Sequence, residues 1–376
     1  MSELDLDQKV GARRLLWRMG YSTRIDVVLR AVELAGHGRG APEAYTDLDV
    51  LGVEVTASGD VQSCIVDCKT GNSSVIGRMF WVRGLVELFG ADTAFMVRDQ
   101  AISGDAQQLA SRLGISALTQ GDLSTLDGML QTSVPLTTAP LSILFEAEKV
   151  KATMARFTGM DRRLKPLLDY RQFAYWVHED HRNLVGIPDT LKDLQDVLDP
   201  KNPLHVGLVL DSAWLYLLSI ARAIGAIRTS HVAHLDHGLS QYIAGGAVQL
   251  SQKRELADLL TSLQKTGEIP TGPTASVDPP FFDGLLELVV RLLRRGRLLN
   301  EALRVLEYQT AASVLNVKAS AAEAFGAEYD RTAAKLALDV VIFIVTAANL
   351  DEAFIAGSRT SLMDASAATA AENPLD

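Results

Sequence analysis

The stretch 46–71, TDLDVLGVEVTASGDVQSCIVDCKTG, decides the fold. It reads as two strands joined by a turn at Ala57, Ser58, Gly59 and Asp60. Period-two alternation places Asp47, Asp49, Leu51, Val53 and Val55 on one face of the first strand. In the second, Ile65, Asp67 and Lys69 share a face, while Val66 and Cys68 take the other. A carboxylate inside an apolar strand is costly unless it has a partner. Each strand here carries one, and a lysine follows two residues after the second. Two acids and a lysine on one patch can hold a divalent cation and activate a water. The plainer reading makes Asp67 and Lys69 a strand-edge ion pair and Asp49 a strand-start residue.

Working outward, 7–19 reads as a helix with Val10, Leu15, Leu16 and Met19 inward and Arg13, Arg14 and Arg18 outside; Gly20 ends it. A strand follows in which Ile25, Val27, Leu29 and Ala31 alternate with Asp26, Val28 and Arg30, and then a loop over 37–44. After the two motif strands come a helix over 74–89 stopped by Gly90, a buried strand at 93–97, a short helix at 105–113 and a strand at 115–118. Arg78, Arg83 and Glu87 fall on the polar side of the 74–89 helix. The order is α-β-β-β-α-β-α-β. Pro, Ser and Thr cluster at 132–139, which marks a domain boundary. From Ile143 onward the periodicity is helical almost throughout, broken by a long loop at 265–280. This divides the chain into an α/β domain over 1–130, a helical domain over 140–358 and a disordered Ala/Ser/Thr-rich tail over 359–376.

An Asp in one strand followed by Asp-x-Lys at the end of the next resembles the PD-(D/E)XK nucleases. The wording DLDVL, IVDCKTG and, after a helix, GADTAFMV is most similar to their Mrr-like restriction-endonuclease branch. The likeness covers about residues 1–120. It implies a restriction-endonuclease-like core, α-β-β-β-α-β, followed by a mostly α-helical domain. It also implies hydrolysis of phosphodiester bonds, of DNA in the first place, in restriction, defence or repair. Asp49 and Asp67 would then hold Mg²⁺, for which Mn²⁺ can substitute, with the backbone carbonyl of Cys68 as a further ligand. Lys69 would stand beside the attacking water or the charge building on phosphorus. Asp47 would be a supporting acid or an alternative ligand. Relatives place a glutamate in the first helix; here that place has only Asp7, with Lys9 close to it. The departure bears on a second metal and on how strong any cutting activity is. A catalytically inactive nuclease-like binding or scaffold subunit is the alternative from a different class.

The 376 residues are 48% apolar and 22% charged, which is globular composition. The net charge of −10 is unlike that of most DNA binders, so any phosphate contact must come from a local basic groove. Cys64 and Cys68 read as small buried hydrophobes of a reducing compartment. The first residues are polar, with no signal peptide pattern, and the apolar stretches 206–227 and 336–348 read as buried helices rather than membrane spans. The expected location is the cytoplasm. Six of the seven histidines lie between His178 and His237. His178 with His181, and His231 with His234, share helix faces, so a zinc hydrolase is a third reading, against helix-surface residues as the plain one. Arg291, Arg294, Arg295 and Arg297 fall on the polar side of one amphipathic helix, a solvated face or a DNA-backbone contact. Trp17 and Trp81 read as core. The helical domain is expected to serve a target, a homodimer or a protein partner.

Overall fold

The computed structural model describes residues 3–30, 43–71, 74–130, 132, 134–137, 140–230, 233–267, 270 and 276–363. The order of elements through Thr119 is the one read from periodicity: α1 (Glu3–Arg18), β1 (Ser22–Arg30), β2 (Ala44–Val55), β3 (Val61–Lys69), α2 (Val75–Phe89), β4 (Thr93–Arg98), α3 (Gly104–Leu113) and β5 (Ile115–Thr119). The strands form one sheet in the order β1-β2-β3-β4-β5. β1, β2 and β3 are antiparallel; β3, β4 and β5 are parallel. Parallel neighbours need a crossover, which α2 and α3 supply.

Each face of the sheet is covered. Ala12, Leu15 and Leu16 of α1 pack on Val50, Cys64, Val66, Cys68 and Val97, together with Leu123 of α4 (Gln120–Met129). Met79, Val82 and Leu85 of α2 join Leu51, Val53, Ile65 and Met96 in a different cluster. Gly52 allows the close seat of α1: a Cβ there would lie 3.0 Å from Leu16 Cδ1 and 3.1 Å from Tyr21 Cβ. Ser74 caps α2 by accepting from the Gly77 N–H, and Gly90 ends it at φ 74°.

The period-two reading does not hold through Asp49. Leu48 joins the same cluster as Leu51, whereas Val50 joins the one under α1. The opposite strand shows the cause: between the pairs Ile25–Val50 and Val27–Leu48, Asp26 has φ 56°. Aspartate tolerates that left-handed conformation better than a bulky residue does.

The remaining elements are helical: α5 (Ala147–Thr158), α6 (Lys165–Asp169), α7 (Tyr175–Val177), α8 (Asp180–Lys192), α9 (Pro203–Ser230), α10 (Leu235–Ala244), α11 (Ala247–Thr266), α12 (Phe282–Leu293), α13 (Leu299–Leu315), α14 (Ala321–Phe325), α15 (Arg331–Ala347) and α16 (Ala353–Leu362). Among the described residues no strand beyond β5 joins the sheet. α9 is long and apolar enough to cross a membrane, and 83% of its apolar window is buried against the rest of the chain. It meets α13 closely at Gly207, where a Cβ would lie 2.6 Å from Val314 Cγ2.

Several expectations are corrected. Arg13, Arg14 and Arg18 are not solvated: Arg13 pairs with Glu307, and Arg14 and Arg18 both pair with Asp127 of α4. Met19 is 39% exposed rather than inward, and Trp81 is 44% exposed rather than core, while Trp17 is buried. The stretch around the arginine cluster is not one helix. α12 ends at Leu293, Gly296–Leu298 makes a 3₁₀ turn, and α13 starts anew. The presumed tail begins with helix, since α16 runs to Leu362, and 364–376 lie outside the described residues. So do 37–42 of the first loop and most of 268–275.

The helical half grips the edge strand β1 through two buried carboxylates. Glu307 of α13 accepts from Arg13 Nη2 at 2.8 Å, Ser22 Oγ at 2.6 Å, the Thr23 N–H at 2.7 Å and the Thr23 hydroxyl. Asp211 of α9 pairs with Arg24 at 2.8 Å and with Arg171 at 2.6 Å. Burial would raise the Asp211 carboxyl, but Arg171 and Arg24 hold it below the usual carboxylate range. Two predictions follow from this grip. Glu307→Ala leaves Arg13 and the Thr23 N–H buried without their acceptor, and should cost about 3–5 kcal/mol in urea denaturation; an unchanged midpoint would show that apolar packing alone joins the halves. Asp211 has a depressed folded pKa, so its contribution is present above its unfolded value and lost as pH falls through the folded one. The stability gap between the parent and Asp211→Asn should therefore shrink on acidification.

Candidate active site

Asp49 stands mid-strand in β2, where the pairing with β3 begins, and Asp67 near the end of β3, and each meets a cation. Asp49 sits one step before the Val50–Val66 pair. Its Oδ1 lies 2.8 Å from Lys9 Nζ, and its Oδ2 accepts the Cys68 N–H at 2.7 Å. Lys9 comes from α1, and its ammonium also lies 2.7 Å from Asp26 Oδ1 and 3.9 Å from Asp5 Oδ2. The kinked backbone of Asp26 belongs to the same arrangement. One carboxylate oxygen from each of Asp26, Asp47 and Asp49 lies within 4.8 Å of the others.

Charge is unbalanced here. Several carboxylates share one ammonium, so both sides shift upward. Burial would lower Lys9, but Asp49 and Asp26 outweigh it and hold the lysine well above its ordinary value. Burial raises Asp49 and Asp26, and Lys9 offsets only part of that. Lys9 is only 5% exposed and stays charged.

Asp67 has a different partner. It is 5% exposed and takes Arg78 of α2 on both oxygens: Nε donates to Oδ2 at 2.8 Å, and Nη2 donates to Oδ1. This forked pair has the strong geometry of charge-assisted bonds. Arg78 is 26% exposed, and its guanidinium lies 5.9 Å from the centre of the Trp81 ring. Lys69 is half-buried at the end of β3, with no ion pair among the described residues. Burial pushes the Cys68 thiol well above its ordinary value, so the sulfur stays protonated. Only its main-chain carbonyl qualifies as a hard-cation donor.

Asp49 and Asp67 thus stand beside the last β2–β3 pair with Lys69 two residues on, but the two acids are held by cations from two helices and Asp67 is not in the acid group of Asp26, Asp47 and Asp49. Sequence reading noted Lys9 near the family's glutamate position, and the structure puts its ammonium on Asp49. It missed Asp26, read as an outward strand residue, and Arg78, read as helix surface. A usable signal was present for Arg78: it sits one turn beyond Ser74, on the first turn of the helix that follows the motif.

The histidines do not form a comparable site. Among the described residues the three acids are the one group of three or more His, Cys, Asp or Glu with ligand atoms close enough for an ion. His178 stands 6.2 Å from the Tyr170 ring and His181 6.5 Å from that of Tyr242, while His231 lies outside the described residues. Of the arginine cluster, Arg291 pairs with Asp339.

Comparison with protein-family models, curated proteins and solved structures finds no match to this chain.

Lys9→Met tests the acid cluster directly. Removing the ammonium leaves buried carboxylates facing one another, which should cost about 3–5 kcal/mol. Mn²⁺ should then raise the melting temperature of the variant more than that of the parent, and more strongly at higher pH, where protons compete less for the acids. No response of either protein to Mn²⁺ would show that these acids hold no cation, and an equal rise in both would show that Lys9 does not compete with one.

Proposed function

We propose that the sheet half is a restriction-endonuclease-like module that hydrolyses phosphodiester bonds of nucleic acid, DNA in the first place, with Mg²⁺ or Mn²⁺. The observation that carries the reading is the placement of Asp49, Asp67 and Lys69 at one end of a hairpin whose sheet is mixed in the order β1-β2-β3-β4-β5. The donor set fits a hard cation: the carboxylates of Asp49 and Asp67 and the Cys68 carbonyl are all oxygen ligands. Such an ion, when bound, polarises a phosphate and lowers the pKa of a water.

The chain's own residues have separable roles. Lys69, unpaired among the described residues, offers a mobile positive charge for the attacking water or the phosphorane-like transition state. Arg78 neutralises Asp67 and, being the more exposed cation, is the one free to turn out toward a phosphate. Lys9 is fixed and buried, and supplies permanent charge to Asp49 and Asp26.

A second reading has its own support. Both motif acids already have a cation partner, Asp49 in Lys9 and Asp67 in Arg78, as in a module that keeps the fold and binds without cutting. Cleavage assays on supercoiled and linear DNA and on RNA, with Mg²⁺ or Mn²⁺, separate the two. Under the hydrolytic reading Lys69→Ala should lose about a hundredfold or more in rate, roughly 3 kcal/mol, with the melting temperature unchanged. Asp67→Asn should lose metal affinity as well. Nucleic-acid binding with no cutting by the parent would transfer support to the binding module. Neither binding nor cutting would end both readings.

A further inference from the structure

A cleft of about 430 Å³ lies between the outer edge of β1 and the helical half, and shares Asp26 with the acid cluster. Its walls come from β1, α5, α6, α9 and α13 and from the π turn Tyr170–Ala174. Val150, Met154, Phe157 and Leu168 give it an apolar side. Arg13, Arg24 and Arg171 converge on it from three separate elements. The volume is that of a small-molecule site, and the rest of its lining is polar and charged.

Most charges around the cleft have a partner. Arg13 is matched by Glu307, and Lys165 by Asp169. Asp26 is taken by Lys9, and Asp161 by Arg163, neither of which lines the cleft. Arg24 and Arg171 share the one carboxylate of Asp211. Arg162, exposed on the rim, has no ion pair among the described residues. The lining carries five charged side chains of each sign, and within that balance Arg171 divides one carboxylate with Arg24 while Arg162 stands without an ion pair among the described residues. Burial, with Arg171 adding to it, pushes Arg24 below its ordinary value despite Asp211.

Arg171 has donors to spare. Its Nε donates to Asp211 at 2.6 Å, and its plane lies 4.0 Å from the centre of the Phe157 ring. Its two terminal nitrogens have no hydrogen-bond partner among the described residues, yet they are not among the side-chain atoms sealed from solvent. A stacked, pre-oriented guanidinium with its outer edge open is suited to a carboxylate or phosphate.

We propose that this cleft binds a small organic anion, with its carboxylate or phosphate on Arg171 and Arg162 and its apolar body against Met154, Val150 and Leu168. This inference is independent of any hydrolytic role for the hairpin.

Titration calorimetry on the full chain tests it with adenosine monophosphate, phenyl phosphate, benzoate, inorganic phosphate and adenosine. At least one of the three organic anions should bind ten times or more tighter than both inorganic phosphate and adenosine. Binding of adenosine monophosphate alone would identify a nucleotide, and binding of phenyl phosphate or benzoate a broader aromatic-acid site; both support the inference. Arg171→Met should weaken the bound anion tenfold or more. Because Arg171 also holds Asp211, the exposed Arg162→Ala is measured beside it and should lose severalfold with an unchanged melting temperature. Three results would overturn the inference: no organic anion binds at millimolar concentration, inorganic phosphate binds equally well, or neither substitution changes the affinity.

Discussion

Everything in this molecule is referred to the edge strand β1 and to the buried carboxylates that hold it. Glu307 takes Ser22 and Thr23, Asp211 takes Arg24, and Lys9 takes Asp26. An edge strand presents unpaired backbone groups that would otherwise recruit another strand. Here the Thr23 N–H is satisfied by a side chain from a helix, so the sheet stops at β1 among the described residues. The same bonds fix where the acid cluster and the large cleft lie, since Asp26 borders both. Buried ion pairs of this kind give little net stability over apolar packing, but breaking one is severe. Their role here is registration: they fix which surface of the helical half meets the sheet.

The hairpin end and the cleft differ in how their charges are arranged. Around the hairpin end, carboxylates outnumber cations, and the ammonium of Lys9 is held by more acids than it can neutralise. Around the cleft, cations and carboxylates are equal in number, but two arginines share Asp211 and Arg162 has no ion pair among the described residues. The net charge of −10 therefore describes neither region: acids crowd around Lys9, whereas the cleft mixes both signs. Global charge is a poor guide to the local arrangement of charges within one fold.

Lys9 is the residue on which the chemical reading turns. The family that the motif resembles puts a glutamate near this place in the first helix. A lysine there supplies positive charge where a second cation would otherwise be drawn, and it does so from a buried, immobile position. Arg78 differs in kind: it neutralises Asp67 from the first turn of α2 and is partly open to solvent. A fixed cation on one acid and a displaceable one on the other is compatible with a site that admits a single ion. It is equally the arrangement of a module that has exchanged metals for internal ion pairs.

The sequence by itself determined the local part. Period-two runs and glycine stops specified the five strands, their order with α1, α2 and α3, and the hairpin that carries Asp49, Asp67 and Lys69, because alternation and capping act within a few residues. The switch to helical periodicity beyond Ile143 was equally legible, as was the burial of α9. What only the tertiary structure decided were the charges' partners. Arg13 and Glu307 are 294 residues apart, and Arg24 and Asp211 are 187 apart. No local rule distinguishes a solvated arginine on α1 from one that closes on a distant carboxylate. The kink at Asp26, the exposure of Trp81 and the break between α12 and α13 escaped for the same reason. Each is set by which surface packs against it, and a residue's neighbours in space are not encoded in its neighbours in sequence.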